Sequence, residues 1–518
     1  MNLTPLRKAL AALPAYKQIV GRVSEGRDSP PLGLPRAARL PVAAALAQDH
    51  PGPLVILVSR ADRWLVWIEE FTAWLPDAEL RPFPEPTPLF YEPSGWGPRT
   101  LRQRVQALSA LSAPAEAGVE GQAGHRPPII VATARGAMVR TLPADEFQSR
   151  SFVLRPGQRI DLTARARSLL DLGYLPTSLV LEPGQVSRRG GILDLWPPPA
   201  RLPIRIELEG DRIETLREFD PDSQRSAANV TGARVIPARE GLPLHWAPGW
   251  MSGEAGEGPT PEEMIRLEFH LPRMTDSTSG LLDYVSAGGL VVFDDRASWE
   301  ETVLEMEEQA VALRQEQIAA GVIQGDFPIP YLSLPELSET LAGLHTLDLG
   351  PVSGAEYEDR DLGSHFSPGP RYGGQVRSVL EALARYQTAH ETVVVVSRQA
   401  DRLRELWDRD ELSRSTPAHL PDNLLPGEVH ILSGALSEGW TLDGEASDRL
   451  HLLTDAEIFG WVKPRPRIRP SARGEAPETA YADLKPGDWV VHVDHGIARF
   501  AGLVARSLEG LAREFLHL

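Results

Sequence analysis

The chain has 518 residues, of which 42% are hydrophobic and 24% charged, a composition typical of a globular protein with several domains. It contains no cysteine, which excludes disulfides, thiolate metal sites and a cysteine nucleophile. A formal net charge of −18 argues against a general affinity for nucleic acid, because phosphate contact needs a positive field. There is no apolar run long enough to span a membrane and no signal-peptide pattern, so we expect a cytoplasmic protein without membrane contact.

The first 140 residues alternate apolar strands with amphipathic helices. The strands PLVILVS (53–59) and PPIIVAT (127–133) are nearly continuous apolar runs, with the helical stretches ADRWLVWIEEFTAWL and TLRQRVQALSALSA between them. Buried strands separated by helices predict a doubly wound α/β layer. We therefore predict an α/β domain over residues 1–139.

The pattern changes after residue 140, where the elements become shorter and basic residues cluster. Examples are RIDLTARARSLLDLGY and VSRRGGILDLW. We predict an inserted α+β domain over residues 140–220. The α/β pattern returns over 221–335 and completes the first layer, and a second α/β domain follows over 336–460.

Two strand-helix units look alike. VILVSRADRWLVWIEEF from Val55 and VVVVSRQADRLRELWDR from Val393 share a strand, a Ser-Arg pair, an Asp-Arg pair and an amphipathic helix. Either the two units are related, or a buried strand followed by a polar cap and a helix recurs for physical reasons alone. The residues leave both explanations open.

The α/β layers lack a nucleotide-binding P-loop. Such a loop needs glycines whose N–H groups cradle phosphate, then a lysine and a Ser or Thr, and none of the four lysines follows a glycine. At the expected place, PLGLPRAAR keeps Gly33 but offers Arg36 and Arg39 instead of a lysine. We interpret Gly33, Arg36 and Arg39 as a degenerate nucleotide site, and predict that this chain has no catalytic residues, no enzymatic activity and no cofactor.

Two other constellations admit a functional and a structural interpretation. Asp294 and Asp295 end the strand VVFDD, where a Walker B carboxylate would lie, but without the lysine we expect them to cap the following helix. His492 and His495 in HVDH have no third metal ligand in view, so we expect them to be structural and predict no metal site.

The C-terminal region begins with a tether. Residues 461–480 hold four prolines and four arginines without an apolar period, which predicts a solvated linker, although their charge also suits nucleic acid or an acidic partner. LKPGDWVVHVDHGIARFAG (484–502) then alternates like a strand, breaks at HG and resumes. We predict the start of a small twisted β-domain over residues 481–518.

These motifs together resemble the bacterial transcription-repair coupling factor (Mfd) family. RRGGILDLWPPPARLPIRIELEGDRIETLREFDPDSQRS (188–226) is similar to a signature that the family shares with the excision-repair protein UvrB. LLTDAEIFG (452–460) and LKPGDWVVHVDHGIARFAG resemble the coupling factors alone, and FPEPTPLFYEPSGWGPRTLRQRV resembles the loop and helix after the second strand of their first domain. The order of the motifs is that of the N-terminal part of the family, ending before the translocase.

The resemblance implies a UvrB-like module that has lost ATP binding and the hairpin with which UvrB clamps DNA. Its domains 1a, 2 and 1b would be residues 1–139, 140–220 and 221–335, and domain 2 would bind UvrA. The implied contact residues are Arg188 and Arg189, with Trp196 as an apolar neighbour. Arginine forks also suit an interface on physical grounds, whereas the alternative is a solvated strand edge. The resemblance gives residues 336–460 no role beyond scaffold.

The last segment resembles the start of the family's RNA polymerase interaction domain, a Tudor-like or SH3-like β-barrel also found in CarD-type regulators. We expect about half of this barrel to be present. In the family the domain holds the polymerase β subunit, which implies contacts through His492, Val493, Asp494, His495 and Gly496. Because alternation places Val491 and Val493 on one face, both suit the barrel core, and we expect contact by the HVDHG turn.

The function implied by the resemblance is that of an adaptor. It would bring UvrA to RNA polymerase stalled at a DNA lesion, as a monomer, and would bind UvrA without activation because the family's masking C-terminal domain is missing. ATP, Mg²⁺ and DNA would bind only the missing translocase portion of the full-length protein, an ATP hydrolase. Two alternatives remain: a UvrB-like DNA-handling ATPase, which needs a P-loop lysine, and a standalone CarD-like regulator, which needs a complete barrel.

Overall fold

The computed structural model describes residues 1–112, 126–246, 261–275, 279–351, 362–408, 419–444, 449–460, 489–492, 496–508 and 511–517. The chain divides into two compact units, Met1–Pro466 and Arg467–Leu518. The mixed α/β fold with several sheets is confirmed. Within the described ranges, no helix is both long and apolar enough to span a bilayer.

The first α/β layer contains elements from two separate stretches of the chain. Its N-terminal elements are α1 (Thr4–Ala12), α2 (Pro14–Ser24), α3 (Arg36–Asp49), β1 (Leu54–Val58), α4 (Ala61–Trp74), β2 (Leu80–Phe83), α5 (Pro98–Leu111), β3 (Ile129–Thr133), α6 (Ala134–Met138) and α7 (Ala144–Ser149). The inserted region consists of β4 (Phe152–Leu154), α8 (Leu162–Asp171), β5 (Leu175–Pro176), β6 (Gln185–Arg189), β7 (Ile192–Leu195), β8 (Ile204–Glu209), β9 (Arg212–Phe219), β10 (Ser226–Asn229) and β11 (Ala233–Val235). The layer resumes with α9 (Pro261–Ile265), α10 (Leu271–Met274), β12 (Leu290–Phe293), α11 (Arg296–Ala319), α12 (Leu334–Ala342) and β13 (His345–Asp348).

The first sheet is parallel throughout, in the order β13-β12-β1-β3-β2. Every residue of β1 is buried, which explains its continuous apolar sequence. Alternate residues enter two different cores: Leu54 and Ile56 face one cluster, and Val55 and Leu57 face the other. The sheet is therefore covered by helices on both faces, as a doubly wound layer requires.

Two predicted boundaries differ from the sheets. Strand β13 pairs in parallel with β12, so the first sheet continues to Asp348, beyond the predicted limit at 335. In the same way β10 and β11 continue the inserted region past 220, since β10 pairs with β9 through an irregular register. These three strands are only three or four residues long, which is too short for a clear alternation in the sequence.

The inserted region forms a six-stranded sheet in the order β10-β9-β8-β7-β6-β5, antiparallel except between β5 and β6. One face packs on α8 and encloses the apolar core of the inserted region, which includes Leu169, Leu193, Ile206 and Leu216. The opposite face, called the outer face below, carries the alternating polar residues.

A third sheet follows. Its elements are β14 (Phe366–Pro368), α13 (Val376–Thr388), β15 (Thr392–Ser397), α14 (Ala400–Asp408), β16 (Val429–Ser433), β17 (Trp440–Asp443), β18 (Arg449–Thr454) and α15 (Asp455–Phe459). The strand order is β14-β17-β18-β15-β16, with β15 parallel to both of its neighbours. The two similar sequence units thus occupy equivalent places, since β1 and β15 each lie between two parallel strands.

The second unit contains two antiparallel hairpins among its described residues. Strand β19 (Trp489–His492) pairs with β20 (Gly496–Arg499), and β21 (Gly502–Leu508) pairs with β22 (Leu511–His517). The predicted linker, 461–480, lies outside the described residues.

Candidate functional sites

Arg188 and Arg189 lie next to each other on β6 and therefore on opposite faces of the inserted sheet. Arg188 pairs with Leu193 on the side of the core, and its Nη1 donates a hydrogen bond to Thr163 Oγ1 at 3.2 Å. Arg189 pairs with Ile192 on the outer face. The two candidate arginines therefore lie on opposite faces of the sheet, and a partner that binds one face does not contact both.

Asp194 holds Arg189 in place on the outer face. The Asp194 side chain is 1% exposed and that of Arg189 is 53% exposed, and Arg189 Nη2 donates to Asp194 Oδ2 at 3.2 Å. Arg205 on β8 donates to the same carboxylate through Nε at 2.8 Å and Nη2 at 2.9 Å. The hydrogen bond to Asp194 raises the pKa of Arg205 above its usual value. A buried carboxylate therefore orients two guanidinium groups, which reduces the entropy that they lose on binding a partner.

A third arginine continues this row across the sheet. The strand register places Arg205 opposite Asp194, and Arg217 opposite Arg205. We call Arg189, Arg205 and Arg217 the arginine face. Glu207 is an acidic neighbour of the arginine face, and its Oε2 lies 3.8 Å from Arg217 Nη2. Arg189 and Arg217, whose side chains are 53% and 38% exposed, offer charge-assisted donors to carboxylates on another molecule, whereas Arg205, 17% exposed, mainly holds Asp194.

Trp196 shares the outer face with Arg189 but lies at the other end of the hairpin. Its backbone N–H donates to Gln185 O at 3.0 Å, and its indole Nε1 donates to Ala200 O at 3.0 Å. Four residues separate Trp196 from Ile192, the partner of Arg189, which corresponds to about 13 Å along a strand. Trp196 therefore does not lie directly beside Arg189, and its role as an apolar neighbour in a UvrA contact stays a prediction.

Exposed leucines lie near that end of the hairpin. Leu175 pairs with Gln185 at the sheet edge, and the Leu181 N–H donates to Gln185 Oε1 at 2.8 Å. Leu175, Leu179 and Leu181, called the leucine edge below, are all exposed. The outer face thus combines an apolar end with the charged arginine face, which is the composition expected of an interface core and its polar rim.

The degenerate nucleotide site lies at the carboxyl ends of the first sheet. Gly33 adopts a φ of +65°, and the backbone N–H groups of Leu32, Gly33 and Leu34 donate to the oxygens of Asp348, Gly350 and Leu349. These N–H groups are therefore bonded within the protein rather than directed at a phosphate. Arg36 begins α3, and its carbonyl accepts a hydrogen bond from Arg63 Nη2 at 3.2 Å.

Asp294 is neutralised at this site by arginines of the chain itself. Arg63 holds it with two hydrogen bonds of 2.8 Å, and Arg39 Nη1 lies 3.7 Å from Asp294 Oδ2. Burial would raise the pKa of Asp294, but the positive charge and hydrogen bonds of Arg63 outweigh burial and lower it. The carboxylate is therefore charged, and both of its oxygens are bound by Arg63.

The structure confirms one of the two predicted helix caps. Asp295 Oδ1 accepts a hydrogen bond from Ser298 N at 3.1 Å and caps α11. Asp294 does not cap the helix, because its oxygens bind Arg63 instead. Within the described residues, no three His, Asp or Glu side chains are grouped so that they could hold a metal ion.

The candidate polymerase contact lies only partly within the described residues. His492 ends β19 and Gly496 begins β20, and the two residues pair across the hairpin. Val493, Asp494 and His495 lie outside the described residues. The positions of His492 and Gly496 agree with strands on either side of the HG break in the sequence.

Sequence reasoning missed Asp194, Arg205 and Arg217. Alternation in IRIELE contained a usable signal, because it places Arg205 and Glu207 on the face opposite Ile204 and Ile206. In RIETLREF the core residues Ile213 and Leu216 are three positions apart, so an irregular register hides the face of Arg217 from the sequence pattern. No local sequence pattern predicts the pairing of Arg63 with Asp294, because the two residues are 231 positions apart.

Comparisons with known families agree with these placements. Residues 152–240 match the model of the UvrB interaction domain. Residues 484–518 match that of the CarD-like/TRCF RID domain. The first match covers the inserted sheet with its arginine face, and the second covers both hairpins of the second unit.

Curated relatives are similar to nearly the whole chain. A transcription-repair-coupling factor of Myxococcus xanthus is 30% identical over 97% of this chain and 45% of its own length. Those of Bacillus subtilis and Staphylococcus epidermidis are 23% and 24% identical over 97% and 93% of this chain. The chain spans less than half the length of these relatives. The family resemblance predicted from the motifs is confirmed.

Proposed function

Given that this chain resembles the N-terminal part of transcription-repair-coupling factors, we propose that it is the recruiting and tethering portion of such a factor. In this proposal it binds UvrA through the inserted domain and the RNA polymerase β subunit through its last segment, as a cytoplasmic monomer. The full-length protein would be an ATP-dependent DNA translocase that displaces stalled polymerase, and ATP, Mg²⁺ and DNA would bind the remainder of that protein.

The observation that carries the proposal is the arginine face within the region that matches the UvrB interaction domain. Asp194 fixes the guanidinium of Arg189 while leaving about half of its side chain exposed. An oriented arginine is the kind of residue that contributes most to a protein interface, because its fork forms two directional bonds. We therefore assign the UvrA contact to the outer face, with Arg189 at its centre and the leucine edge as its apolar part.

The test is a binding titration of this chain against purified UvrA. Arg189→Ala should weaken binding by about 2 kcal/mol, the scale of an interface hot spot, or roughly 30-fold. Arg188→Ala is the matched control, because Arg188 lies on the other face, and its effect should be several-fold smaller. Binding without an activator is expected. Equal effects of the two substitutions would show that the outer face is not the UvrA contact. If the wild-type chain shows no saturable binding, the proposal that it binds UvrA is wrong.

The tethering half of the proposal concerns residues 481–518. We propose that this segment begins a Tudor-like or SH3-like barrel and that His492, Val493, Asp494, His495 and Gly496 contact the polymerase β subunit. A titration against the isolated β subunit tests it, with Asp494→Arg as the variant and Asp401→Arg, an exposed position of the first unit, as a control with the same charge change. The control should bind like the wild type, and the variant should lose at least tenfold in affinity. An unaltered affinity of the variant would exclude the turn.

The degenerate nucleotide site is proposed to bind no nucleotide. Its loop N–H groups are bonded to backbone oxygens, and Arg63 and Arg39 neutralise Asp294. The alternative of a UvrB-like ATPase predicts Mg²⁺-dependent ATP hydrolysis that Asp294→Asn abolishes. We expect no hydrolysis above the buffer rate.

A further inference from the structure

A small hollow lies on the first α/β layer, between the loop that joins β2 to α5, the end of α6 and the segment before α12. Its walls include three half-buried aromatic side chains, those of Phe90, Trp96 and Phe269. Leu89 also lines it and is 54% exposed, and Ile329, which precedes a proline of the wall, is 48% exposed. We call this surface the aromatic hollow. It gathers aromatic and exposed apolar side chains in one place, which is typical of an interaction surface.

Arg140 lines the aromatic hollow without a counter-charge of its own. Within the part of the chain that the structure describes, no carboxylate lies at ion-pair distance from its guanidinium, and its buried Nε has no acceptor. Burial lowers the pKa of Arg140, although the charge of Glu336 acts in the opposite direction. The Glu336 carboxylate itself accepts hydrogen bonds from the N–H and the hydroxyl of Ser333. A partly buried charge without a partner costs free energy, which a carboxylate from another molecule would offset.

The other charged side chains of the hollow are bonded within the chain. Arg135 Nη2 donates to Glu85 Oε1 at 3.1 Å. Glu268 accepts hydrogen bonds from Arg239 through both of its oxygens, and Glu92 Oε2 accepts a backbone N–H of its own loop at 2.9 Å. Among the described charged side chains that line the hollow, only Arg140 therefore lacks a bonded partner.

The size of the hollow favours part of a protein over a small-molecule ligand. Its volume is about 50 Å³, whereas sites for small molecules and cofactors enclose roughly 300–1,000 Å³. A space of this size takes the end of one side chain. An apolar rim next to an unpaired arginine complements an apolar residue that is followed or preceded by an acidic one.

We propose that the aromatic hollow is a docking site for a segment of a partner protein in which apolar residues flank an aspartate or a glutamate. The apolar residues cover Leu89 and Ile329, and one of them enters the hollow. The carboxylate accepts charge-assisted hydrogen bonds from Arg140. The surface is separate from the arginine face and from residues 481–518, so its failure would leave the UvrA and polymerase contacts standing.

The probe is a short labelled peptide with Leu-Asp-Leu among glycines and serines, titrated against the whole chain by fluorescence anisotropy. Matched peptides carry Leu-Asn-Leu and Ser-Asp-Ser. The Leu-Asp-Leu peptide should bind at least about tenfold more tightly than either. The net charge of −18 disfavours an acidic peptide, so it does not account for this preference. Equal affinities of the three peptides, or no saturable binding of the first, would overturn the proposal.

Arg140→Gln tests the charged part of the contact. It should weaken binding of the Leu-Asp-Leu peptide at least about tenfold and remove its advantage over Leu-Asn-Leu. Because the charge has no partner in the chain, the same substitution should leave the melting temperature unchanged or raise it. A large fall in the melting temperature would show that Arg140 has a counter-charge within the protein, and the proposal would then be wrong.

The apolar part is tested by Leu89→Ser with Ile329→Ser, which should weaken binding of the Leu-Asp-Leu peptide at least about tenfold. Leu170→Ser with Leu425→Ser removes exposed leucines elsewhere and should leave binding unchanged. Equal losses in the two double variants would show that the peptide binds apolar surface without selection. A dimer in sedimentation that Leu89→Ser with Ile329→Ser dissociates would make the surface a contact between copies of this chain, contrary to the proposal.

The arginine face is the other surface of the chain that suits an acidic peptide, and Arg189→Ala distinguishes the two. This variant should bind the Leu-Asp-Leu peptide like the wild type. Loss of binding in Arg189→Ala together with full binding in Arg140→Gln would place the peptide on the arginine face and overturn the proposal.

Discussion

Asp194 and Asp294 are both buried carboxylates that bind two arginines, yet they belong to regions of opposite character. Asp194 lies under the outer face of the inserted sheet, and Arg189 above it remains half exposed. Asp294 lies at the carboxyl ends of the first sheet, where Arg63 and Arg39 are themselves nearly buried. The same ionic arrangement therefore presents charge to a partner in one region and closes a site in the other. The exposure of the arginines, rather than the ion pair, makes the difference.

The largest expected effect on stability concerns Asp294 at the degenerate nucleotide site. Asp294→Asn would leave Arg63 buried without its counter-charge, whereas Arg39 would keep Asp295, whose Oδ2 lies 3.3 Å from Arg39 Nη2. Because Arg63 is nearly buried, we expect a loss of about 3–5 kcal/mol in the free energy of unfolding. Urea denaturation followed by circular dichroism measures it. Asp295→Asn is the neighbouring control. Asparagine caps a helix as well as aspartate does, so this variant loses only the partly exposed ion pair with Arg39 and should cost no more than about 1 kcal/mol. Equal losses for both variants would mean that Asp294 is not the structural centre of the site.

The pH dependence of stability should come from histidines rather than from Asp294. Burial lowers the pKa of His270 to about 4, below the 6.5 of an unfolded chain, so the unfolded state binds more protons as the pH falls. Stability should therefore decrease between pH 6.5 and pH 5, by about 2 kcal/mol. Since the pKa of Asp294 is lowered, its own contribution is lost only in stronger acid. A His270→Gln variant should show a flatter profile, and an unchanged profile would contradict this assignment.

The free energy of unfolding should depend less on Asp194 than on Asp294. Asp194→Asn frees Arg189, which can return to solvent, and leaves Arg205 with a neutral amide in a partly exposed position. We expect a stability loss of about 1.5–2 kcal/mol, in the lower part of the range for a hydrogen bond to a charged group, because Arg205 is partly exposed. A loss as large as that of Asp294→Asn would remove the distinction between the two regions.

The smallest expected effect is the removal of the exposed arginine. Arg189→Ala should change the free energy of unfolding by no more than about 0.5 kcal/mol, because an exposed ion pair contributes little and Arg205 still neutralises Asp194. The same variant is expected to weaken UvrA binding. A large loss of stability would instead give Arg189 a structural role.

The sequence predicted the elements with strong periodicity. Continuous apolar runs identified β1 and β3, and the switch to short, basic elements identified the inserted region. Pairing between distant residues could not be predicted in this way, because Asp294 and Arg63 approach each other only once the parallel sheet has formed. The opposite faces of Arg188 and Arg189, in contrast, followed from strand alternation and were within reach of the sequence.

The hydrogen bonds between Leu32–Leu34 and the chain after β13 determine how this protein can be divided for expression. Cutting after residue 335 would remove the edge strand β13 and leave the N–H groups of Leu32, Gly33 and Leu34 without their acceptors at 348–350. It would also turn β12, which lies next to β13, into an unpaired edge strand, and such edges are a common cause of aggregation. A soluble piece of the N-terminal module should therefore extend at least to Gly350.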